Sequence, residues 1–415
     1  MFGQATLGVL ILLLLISLPA HHTLLLLLSL TLLLAAGLSL LWREWCLRGV
    51  VYRRRFSTRR AAFGETVELE LEIINRKLLP LAWLEIEDEL PRSLPPSRGR
   101  VYPSHKADRA LLNALVALRP YERVRRRYPI PCVTRGEHTF GPVQLRSGDL
   151  FGLVIREEQD AQTDSLVVLP RVVPLAELGL PVRNPLGELR VPSWLFEDPT
   201  RIAGAREYRP GDSRRRIHWP ASVRAQRLQA KIYEPTLSHK LMVALNAHTA
   251  AAWWGFTSDA EALELSIMAA ASIAAWAVSE RYQVGLASNG FVASGSLQGV
   301  FEPCAAGRLD HLLETLGRLR SFAVRPFEAV LEELRPRLPF GAALVVVSAV
   351  VTPAIAGVLA ALHRRGHPVT LLLVGDAAVP PGLDGSIVVR RIGPAAAWRT
   401  LPALQPAVEV GATAP

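Results

Sequence analysis

Lysine is scarce in this chain, although the chain is basic. Only four of its 47 Lys and Arg residues are lysine, and the formal net charge is +10. A basic balance is typical of proteins that bind nucleic acids or anionic membrane surfaces. A bias towards arginine, together with abundant Ala, Leu, Gly and Pro, can equally result from the base composition of the genome, which favours the codons of these residues. The charge therefore does not predict a specific nucleic-acid partner.

Cysteine is scarce as well. Cys46, Cys132 and Cys304 are odd in number and far apart, which argues against a disulfide framework and against the paired spacing of a zinc site. Three isolated thiols are typical of a reducing compartment. A glycine-rich phosphate loop is also missing from the segment LNAHTAA at 245–251, so we predict no nucleotide site there.

Charge is missing from residues 2–20 and 23–42. Each segment has about twenty residues, the length that crosses a hydrocarbon core of roughly 30 Å as a helix. A signal peptide is the alternative, but no Lys or Arg precedes the first apolar run and a second run follows at once. We predict a transmembrane helical hairpin over residues 1–45 with His21 and His22 at its tip. Two histidines could bind a metal, but in a short loop they are more typical of a polar turn.

Arginines cluster directly after the second apolar segment. Charge of this sign stays on the cytoplasmic side of a membrane. We therefore predict two spans in the cell inner (cytoplasmic) membrane, with both chain ends and all soluble domains cytoplasmic. The arginines are Arg43, Arg48, Arg53, Arg54, Arg55, Arg59 and Arg60.

Residues 46–175 have the pattern of β-strands. Apolar and acidic residues alternate strictly from Val67 to Ile73, as expected of a half-buried strand. Turns that contain glycine recur about every ten residues, which favours an antiparallel β-sandwich-like domain of immunoglobulin type. We interpret Asp149, in the turn GDLFG, as a loop cap rather than as a ligand.

Residues 238–393 alternate apolar strands with helices. Such a pattern predicts an α/β domain with a Rossmann-type parallel sheet covered on both faces. Residues 176–237 are predicted to be a linker with a signature motif, and residues 394–415 a C-terminal tail. Ligands of such sheets bind beyond the carboxyl ends of the strands. Those ends are predicted at Asn246 to Ala250, Ser288-Asn289, Ser348-Ala349 and Gly375-Asp376.

The signature motif, REYRPGDSRRRIHWPASVR at 206–224, has a possible catalytic interpretation. Ser213 or Ser222 would be the nucleophile, His218 the base and Asp212 the orienting carboxylate. Triads are recognised by their geometry in space, which the spacing of these residues does not establish.

A second interpretation is anion binding by Arg214, Arg215 and Arg216. A helix that begins near Asp212 would add its N-terminus, and guanidinium groups suit phosphate or carboxylate.

The third interpretation, which we favour, is a structural clamp between the two soluble domains. Pro210-Gly211-Asp212 would form a tight turn, and Asp212 or Ser213 would cap the next helical turn. Ile217 and Trp219 would be apolar anchors. An arginine would pair with Asp212 or Glu207, because a buried charge must be compensated. The remaining arginines would face a partner.

The motif, the segment TRGEHTFGPVQLRSGDLFGL and the two leading spans together resemble the bacterial domain-of-unknown-function 58 family. The resemblance implies a membrane hairpin, a β-domain and a domain similar to von Willebrand factor type A. It also implies a role beside a MoxR-type AAA+ ATPase, often with a transglutaminase-like membrane protein. The matching motif positions are Gly211, Asp212, Arg215, Ile217, Trp219, Ser222 and Arg224.

Domains of the von Willebrand class often hold Mg²⁺ after the first strand through Asp-x-Ser-x-Ser, with a threonine and an aspartate from later loops. Oxygen ligands are what Mg²⁺ requires. The matching positions here are Asn246, His248 and Ala250, which have lost the carboxylate and both hydroxyls. The later aspartate is absent near Ser348-Ala349. We predict a degenerate metal site, with no metal and no cofactor.

The function predicted from these observations is that of a non-enzymatic, membrane-anchored cytoplasmic interaction or scaffold protein. It would be an adaptor for a MoxR-type AAA+ ATPase in the assembly or maturation of protein complexes. The alternatives are a hydrolase with a site around His218 or His248, or an anionic-lipid or nucleic-acid binder. The interaction surface is predicted within the motif residues Gly211, Asp212, Arg214, Arg215, Ile217, Trp219, Ser222 and Arg224.

Overall fold

A computed structural model provides the three-dimensional structure. It describes residues 4–17, 23–149, 154–181, 197–209, 212–235, 240–249, 259–292, 299–339, 341–375, 383 and 387–401. The chain divides into two compact units, an N-terminal unit of residues 1–169 and a C-terminal unit of residues 170–415.

Two apolar helices begin the N-terminal unit and pack against each other, α1 over Gln4–Ser17 and α2 over Thr23–Trp45. The segment Leu26–Trp45 of α2 is long and apolar enough to cross a membrane. The described part of α1 is 14 residues, shorter than a full span. The predicted hairpin tip, His21-His22, lies outside the described residues.

Eleven strands follow in the described part of the N-terminal unit and form three sheets, ordered β1-β3-β7, β10-β9-β4-β6-β5 and β2-β11-β8. The sheet-rich region predicted from the sequence is confirmed. The strands are β1 Val50–Phe56, β2 Arg60–Ala61, β3 Thr66–Asn75, β4 Leu81–Pro91, β5 Arg100–Pro103, β6 Arg109–Leu118, β7 Arg123–Pro131, β8 Gly136–Phe140, β9 Val143–Gly148, β10 Ile155–Asp160 and β11 Asp164–Val168.

The alternating pattern of Val67 to Ile73 lies within β3. Its apolar side chains are buried in one cluster with residues of β4 and β6, such as Leu84 and Leu112. Its acidic residues point to the other face, where Glu72 pairs with Arg125 of β7 at 3.0 Å. The core thus forms from the apolar side chains on one face of each strand.

One buried arginine connects all three sheets of the N-terminal unit. Arg54 of β1 donates from Nε to both oxygens of Asp88 of β4 at 3.0 Å, and from Nη1 to Asp164 of β11 at 3.2 Å. The side chains of Arg54 and Asp88 are only 2% and 1% exposed. The Tyr52 hydroxyl donates to Asp88 at 2.6 Å. Burial raises the pKa of the Asp88 carboxyl to about 6, although Arg54 opposes that shift.

The described C-terminal unit contains a six-stranded sheet ordered β17-β15-β14-β19-β20-β21, in which only the edge strand β17 is antiparallel. The strands of this unit are β12 Glu197–Glu207, β13 Gln229–Pro235, β14 Lys240–Leu245, β15 Gln283–Ser288, β16 Gly290–Val292, β17 Val300–Ala305, β18 Leu319–Ala323, β19 Ala343–Ser348, β20 Val369–Val374 and β21 Val388–Ile392. Its helices are α3 Trp219–Ala225, α4 Ala260–Ser279, α5 Leu309–Arg318, α6 Phe327–Arg337 and α7 Pro353–Arg364.

Two helices of this unit, α4 and α7, begin directly after a residue whose side chain caps them. The Asp259 carboxylate accepts hydrogen bonds from the first backbone amides of α4, and the Thr352 hydroxyl accepts one from α7. The helix α4 is also apolar enough to cross a membrane, but most of it is buried in this unit, as in the core helix of a soluble domain. The structure thus confirms the predicted C-terminal α/β domain as a mostly parallel sheet combined with helices.

Candidate functional site

The first candidate site lies at the carboxyl ends of β14, β15 and β19, where the sheet brings Asn246, Asn289 and Ser348 into one buried cluster. Asn246 donates from Nδ2 to the Ser348 hydroxyl at 2.9 Å. Asn289 donates from Nδ2 to Asn246 Oδ1 at 3.0 Å. The structure therefore brings together three of the four strand ends predicted from the sequence; Gly375-Asp376 is not part of this described cluster.

The hydrogen bonds of this cluster are satisfied internally. Asn246 Oδ1 also accepts from the His248 amide at 3.0 Å, and Asn289 Oδ1 accepts from the Ala247 amide at 2.8 Å. The Ser348 hydroxyl donates to the Val350 carbonyl at 2.5 Å. The side-chain oxygens that a cation could use are thus already engaged by donors of the chain itself.

The residues present do not fit a magnesium ion. Asn246 turns a donor, Nδ2, towards Ser348, and no carboxylate joins the cluster among its described members. The described residues also contain no group of three or more His, Cys, Asp and Glu placed to share a metal. His248 is half-buried, whereas Ala250 and Asp376 lie outside the described residues.

The second candidate site is the signature motif, which forms the connection between two antiparallel strands. β12 pairs with β13 in a register that sets Glu207 opposite Gln229 and Arg206 opposite Ala230. The segment between the two strands, described over residues 208–209 and 212–228, is called the hairpin connection below.

Asp212 is held by an arginine, as predicted, but that arginine, Arg206, is 38% exposed rather than buried. Arg206 donates from both terminal nitrogens to the two carboxylate oxygens at 2.7 Å each, and the Arg209 amide donates to Oδ2 at 2.9 Å. The hydrogen bond from Arg206 lowers the pKa of the Asp212 carboxyl from 3.8 to about 2. The Asp212 amide donates to the Arg209 carbonyl at 3.0 Å, the bond of a β-turn. Pro210 and Gly211, between them, lie outside the described residues.

The prediction that Asp212 or Ser213 caps a helix is wrong. The segment after Ser213 is a single 3₁₀ turn, Arg214–Arg216, in which the Ser213 side chain makes no capping bond. The α-helix starts later, at Trp219, and its cap is His218, whose Nδ1 accepts from the Ala221 amide at 3.1 Å. The Asp212 carboxylate accepts from Arg206 and the Arg209 amide instead, so the described connection has no α-helix that begins near Asp212, as the anion-binding interpretation required.

The structure also does not place the residues of the catalytic interpretation within hydrogen-bond distance of one another as a triad. The Ser222 hydroxyl donates to the His218 carbonyl at 3.0 Å and accepts from the Gln229 amide at 2.8 Å. In the described structure neither Ser213 nor Ser222 bonds the His218 ring, and Asp212 bonds Arg206 instead. A nucleophile needs a base within hydrogen-bond reach, and these residues serve the backbone.

The prediction that Trp219 is an apolar anchor is wrong as well. Trp219 is 65% exposed, and so are Val223 at 76% and Leu228 at 49%. Ile217 is half-buried and forms an isolated bridge with Ala230. The sequence shows that Trp219 is apolar but not which side of the connection it faces.

Several exposed arginines of the connection have no side-chain partner among the described residues. The guanidinium groups of Arg214, Arg215 and Arg224 make no ion pair or hydrogen bond with any residue that the structure describes. The connection thus presents apolar side chains and uncompensated positive charge together.

Comparison with known proteins finds a family match for the part of the chain that contains the motif. Residues 204–391 match the family described as Protein of unknown function DUF58. The match runs from β12 to β21 and includes the hairpin connection. It confirms, for this part, the family resemblance predicted from the motif; the predicted extension to the N-terminal unit stays a prediction.

The chain is similar to the Uncharacterized protein YeaD of Bacillus subtilis (strain 168), with 28% identity over 226 residues, 52% of this chain. It spans about half the length of that curated relative, 50%. Among solved structures, the CARDB domain of a Pyrococcus furiosus protein aligns with 29% of this chain and 87% of its own, at 11% identity and a TM-score of 0.21. A Clostridium perfringens cohesin module aligns with 29% and 97%, at 10% identity and a TM-score of 0.20.

Proposed function

We propose that the protein is a membrane-anchored interaction or scaffold protein, an adaptor for a MoxR-type AAA+ ATPase in the assembly or maturation of protein complexes. The observation that carries the proposal is the hairpin connection, where Trp219 and Val223 are exposed in the same segment as arginines that have no partner among the residues that the structure describes. Exposed aromatic and arginine side chains are typical of protein interfaces. The family resemblance supplies the type of ATPase, and a transglutaminase-like membrane protein is a further partner in this proposal.

We further propose that the C-terminal unit is a von Willebrand factor A-like domain with a degenerate metal site. The support is a sheet of five parallel strands with one antiparallel edge strand, and Asn246 at the position of the expected first carboxylate. In such a domain the residues at the strand ends, Asn246, Asn289 and Ser348, would stabilise the fold instead of binding a metal. Partner proteins would then bind at another surface of the domain.

Localisation to the inner membrane, with both units in the cytoplasm, completes the proposal. It is supported by the apolar segment Leu26–Trp45 and by the arginines that follow it. The hydrolase alternative has no such support, since His218 caps a helix.

Affinity purification of the tagged full chain from its native membrane, in mild detergent, tests the proposal. Mass spectrometry should find a MoxR-type ATPase enriched over a mock purification with an unrelated double-spanning protein. ATP hydrolysis by the purified ATPase, measured with and without the full chain, then shows whether the contact is functional. Absence of the ATPase from the purified material would contradict the adaptor role.

A further inference from the structure

We propose that the hairpin connection docks onto a protein partner at an apolar pocket rimmed by carboxylates. This proposal rests on the proposed interaction function and goes beyond it, because it assigns the surface and states the chemistry of its counterpart. Three observations carry it: an outward apolar face, uncompensated arginines around that face, and a frame of hydrogen bonds that fixes both.

The apolar face lies on α3. Trp219 and Val223 are four residues apart, so they occupy the same side of the helix, and both are mostly exposed. Leu228, also exposed, precedes β13 in the same connection. Large exposed apolar side chains grouped in this way mark interaction sites, and tryptophan is enriched among the residues that dominate binding energy.

The charge around this face lacks compensation. Arg214, Arg215 and Arg224 have no partner among the described residues, and the exposed Glu207 at the end of β12 already faces Arg227 at 3.8 Å. Exposed arginines without a side-chain partner among the described residues also occur in the N-terminal unit, such as Arg92 and Arg98, but those of the connection lie in the same short segment as the exposed Trp219 and Val223. A planar guanidinium binds carboxylates through two parallel hydrogen bonds, so the matching surface is acidic.

The frame beneath the face favours a protein over a bilayer. Tyr208 donates from its hydroxyl to the Asp212 carbonyl at 2.7 Å, and Arg206 holds the Asp212 side chain. Ser222 joins α3 to the first residue of β13. These bonds hold the backbone of the connection, including the helix that carries Trp219, before binding, which lowers the entropic cost of docking into a shaped pocket. Lipid headgroups and acyl chains are fluid, so a fixed shape of the connection would not strengthen its binding to a bilayer.

A photoreactive benzophenone amino acid in place of Val223, in the full chain in its native membrane, tests the proposal. Illumination should give an adduct with another protein, and the modified peptide should lie in a segment rich in Asp and Glu. The same amino acid in place of Val133, exposed in the N-terminal unit, is the matched control and should not give this adduct.

Charge reversal provides the second arm. Arg214→Glu, Arg215→Glu and Arg224→Glu together should lower the adduct yield at least about tenfold, as expected when several charged contacts are lost. The matched control is Arg92→Glu, Arg98→Glu and Arg100→Glu, three exposed arginines of the N-terminal unit, and should leave the yield unchanged. Both triple variants should keep the wild-type melting temperature, because all six side chains are exposed.

Three cross-linking results would overturn the proposal. An adduct with lipid would indicate that the connection contacts an anionic bilayer, and an adduct with residues 1–169 would indicate a clamp within the chain. The absence of any adduct would indicate that the connection contacts nothing. An adduct that survives charge reversal would also overturn the proposal. Loss of the ATPase from wild-type purifications, with the acidic adduct retained, would contradict only the adaptor role. Retention of the ATPase by the charge-reversed variant would contradict only the docking surface.

Discussion

The two polar residues that attract attention in the sequence, Asp212 and Asn246, are both fully engaged by their neighbours. Asp212 is bound by Arg206 and a backbone amide. Asn246 is bound by Asn289, Ser348 and the His248 amide. At the scale of single residues, both of these polar groups look available for chemistry in the sequence but have structural partners.

Asp212→Asn should destabilise the C-terminal unit in a pH-dependent way. The carboxyl pKa falls from 3.8 to about 2 on folding, so its contribution to stability is complete above the higher value and is lost as the pH falls towards the lower. The difference in melting temperature between wild type and variant should therefore be largest near neutral pH and shrink below about pH 4. Asp108→Asn, at an exposed aspartate, is the control; equal effects of both changes would contradict the pairing.

Asn246→Asp should destabilise the C-terminal unit by roughly 2–3 kcal/mol, because it buries a charge and removes the donor to Ser348. Urea denaturation of the full chain in detergent measures this change. Addition of Mg²⁺ should not restore stability, and calorimetric titration of Mg²⁺ or Mn²⁺ into wild type should give no binding heat. Rescue by Mg²⁺, or micromolar binding to wild type, would show that the degenerate-site prediction is wrong.

At the scale of elements, the hairpin connection and the three sheets of the N-terminal unit are each held by one side chain that bridges separate segments. Ser222 joins the start of α3 to the start of β13. Arg54 joins β1, β4 and β11. The sequence draws attention to Ser222 only as a motif position and possible nucleophile, and Arg54 has no distinctive pattern within an arginine-rich run, so neither bridging role was predicted.

Ser222→Ala should cost roughly 1–3 kcal/mol of stability, since the Gln229 amide loses its acceptor. Trp219→Ala and Val223→Ala should stay within about 0.5 kcal/mol of wild type, because both side chains are exposed. This expectation reverses the one that treats Trp219 as an anchor, for which the melting temperature would fall by several degrees. Thermal denaturation of the three variants decides between them.

Arg54→Met should destabilise the N-terminal unit by about 3–5 kcal/mol, because Asp88 would be left as a buried charge without its partner. Arg53→Met is a close control, one residue earlier in the same strand and exposed, and should change stability by less than about 0.5 kcal/mol. Chemical denaturation followed by a probe in residues 46–169 gives both values. Similar values for the two variants would contradict the bridging role.

At the scale of the whole molecule, the chain combines an apolar N-terminal helix of spanning length, a sheet-rich unit and an α/β unit. A second helix passes the same test of length and apolarity but lies in the core of the C-terminal unit. Burial therefore distinguishes α2 from α4, whereas apolarity alone does not.

The wild-type chain should stay with the membrane after an alkaline carbonate wash. Leu30→Arg with Leu34→Arg, on exposed positions of α2, should release it, because a charge near the centre of a span costs about 2.5–3.5 kcal/mol per residue. Leu30→Ala with Leu34→Ala should not. Protease added to intact spheroplasts should leave both units uncut if they are cytoplasmic; extraction of wild type by carbonate would contradict the anchor.

Much of the fold follows from patterns that repeat along the sequence. The alternation from Val67 to Ile73, the capping Asp259 and the apolar strand after residue 341 predict their elements because each signal is local. The edge strands β16, β17, β18 and β21 were not predicted, since short or partly exposed strands lack a full apolar run. For the candidate site, the convergence of Asn246, Asn289 and Ser348 was predictable from the parallel sheet, but the closure of their hydrogen bonds was not.

The sequence by itself determined the apolar N-terminal segments, the order of a β-rich and an α/β region, and the family motif, because period, length and residue type are properties of a linear chain. Only the tertiary structure decided that Arg54 is buried while Arg53 is exposed, that Asp212 binds Arg206, and that Trp219 faces outward. Each of these outcomes depends on which distant segment lies opposite a side chain. The physical reason is that burial and hydrogen-bond partnership arise from packing, and packing joins residues that the sequence keeps apart.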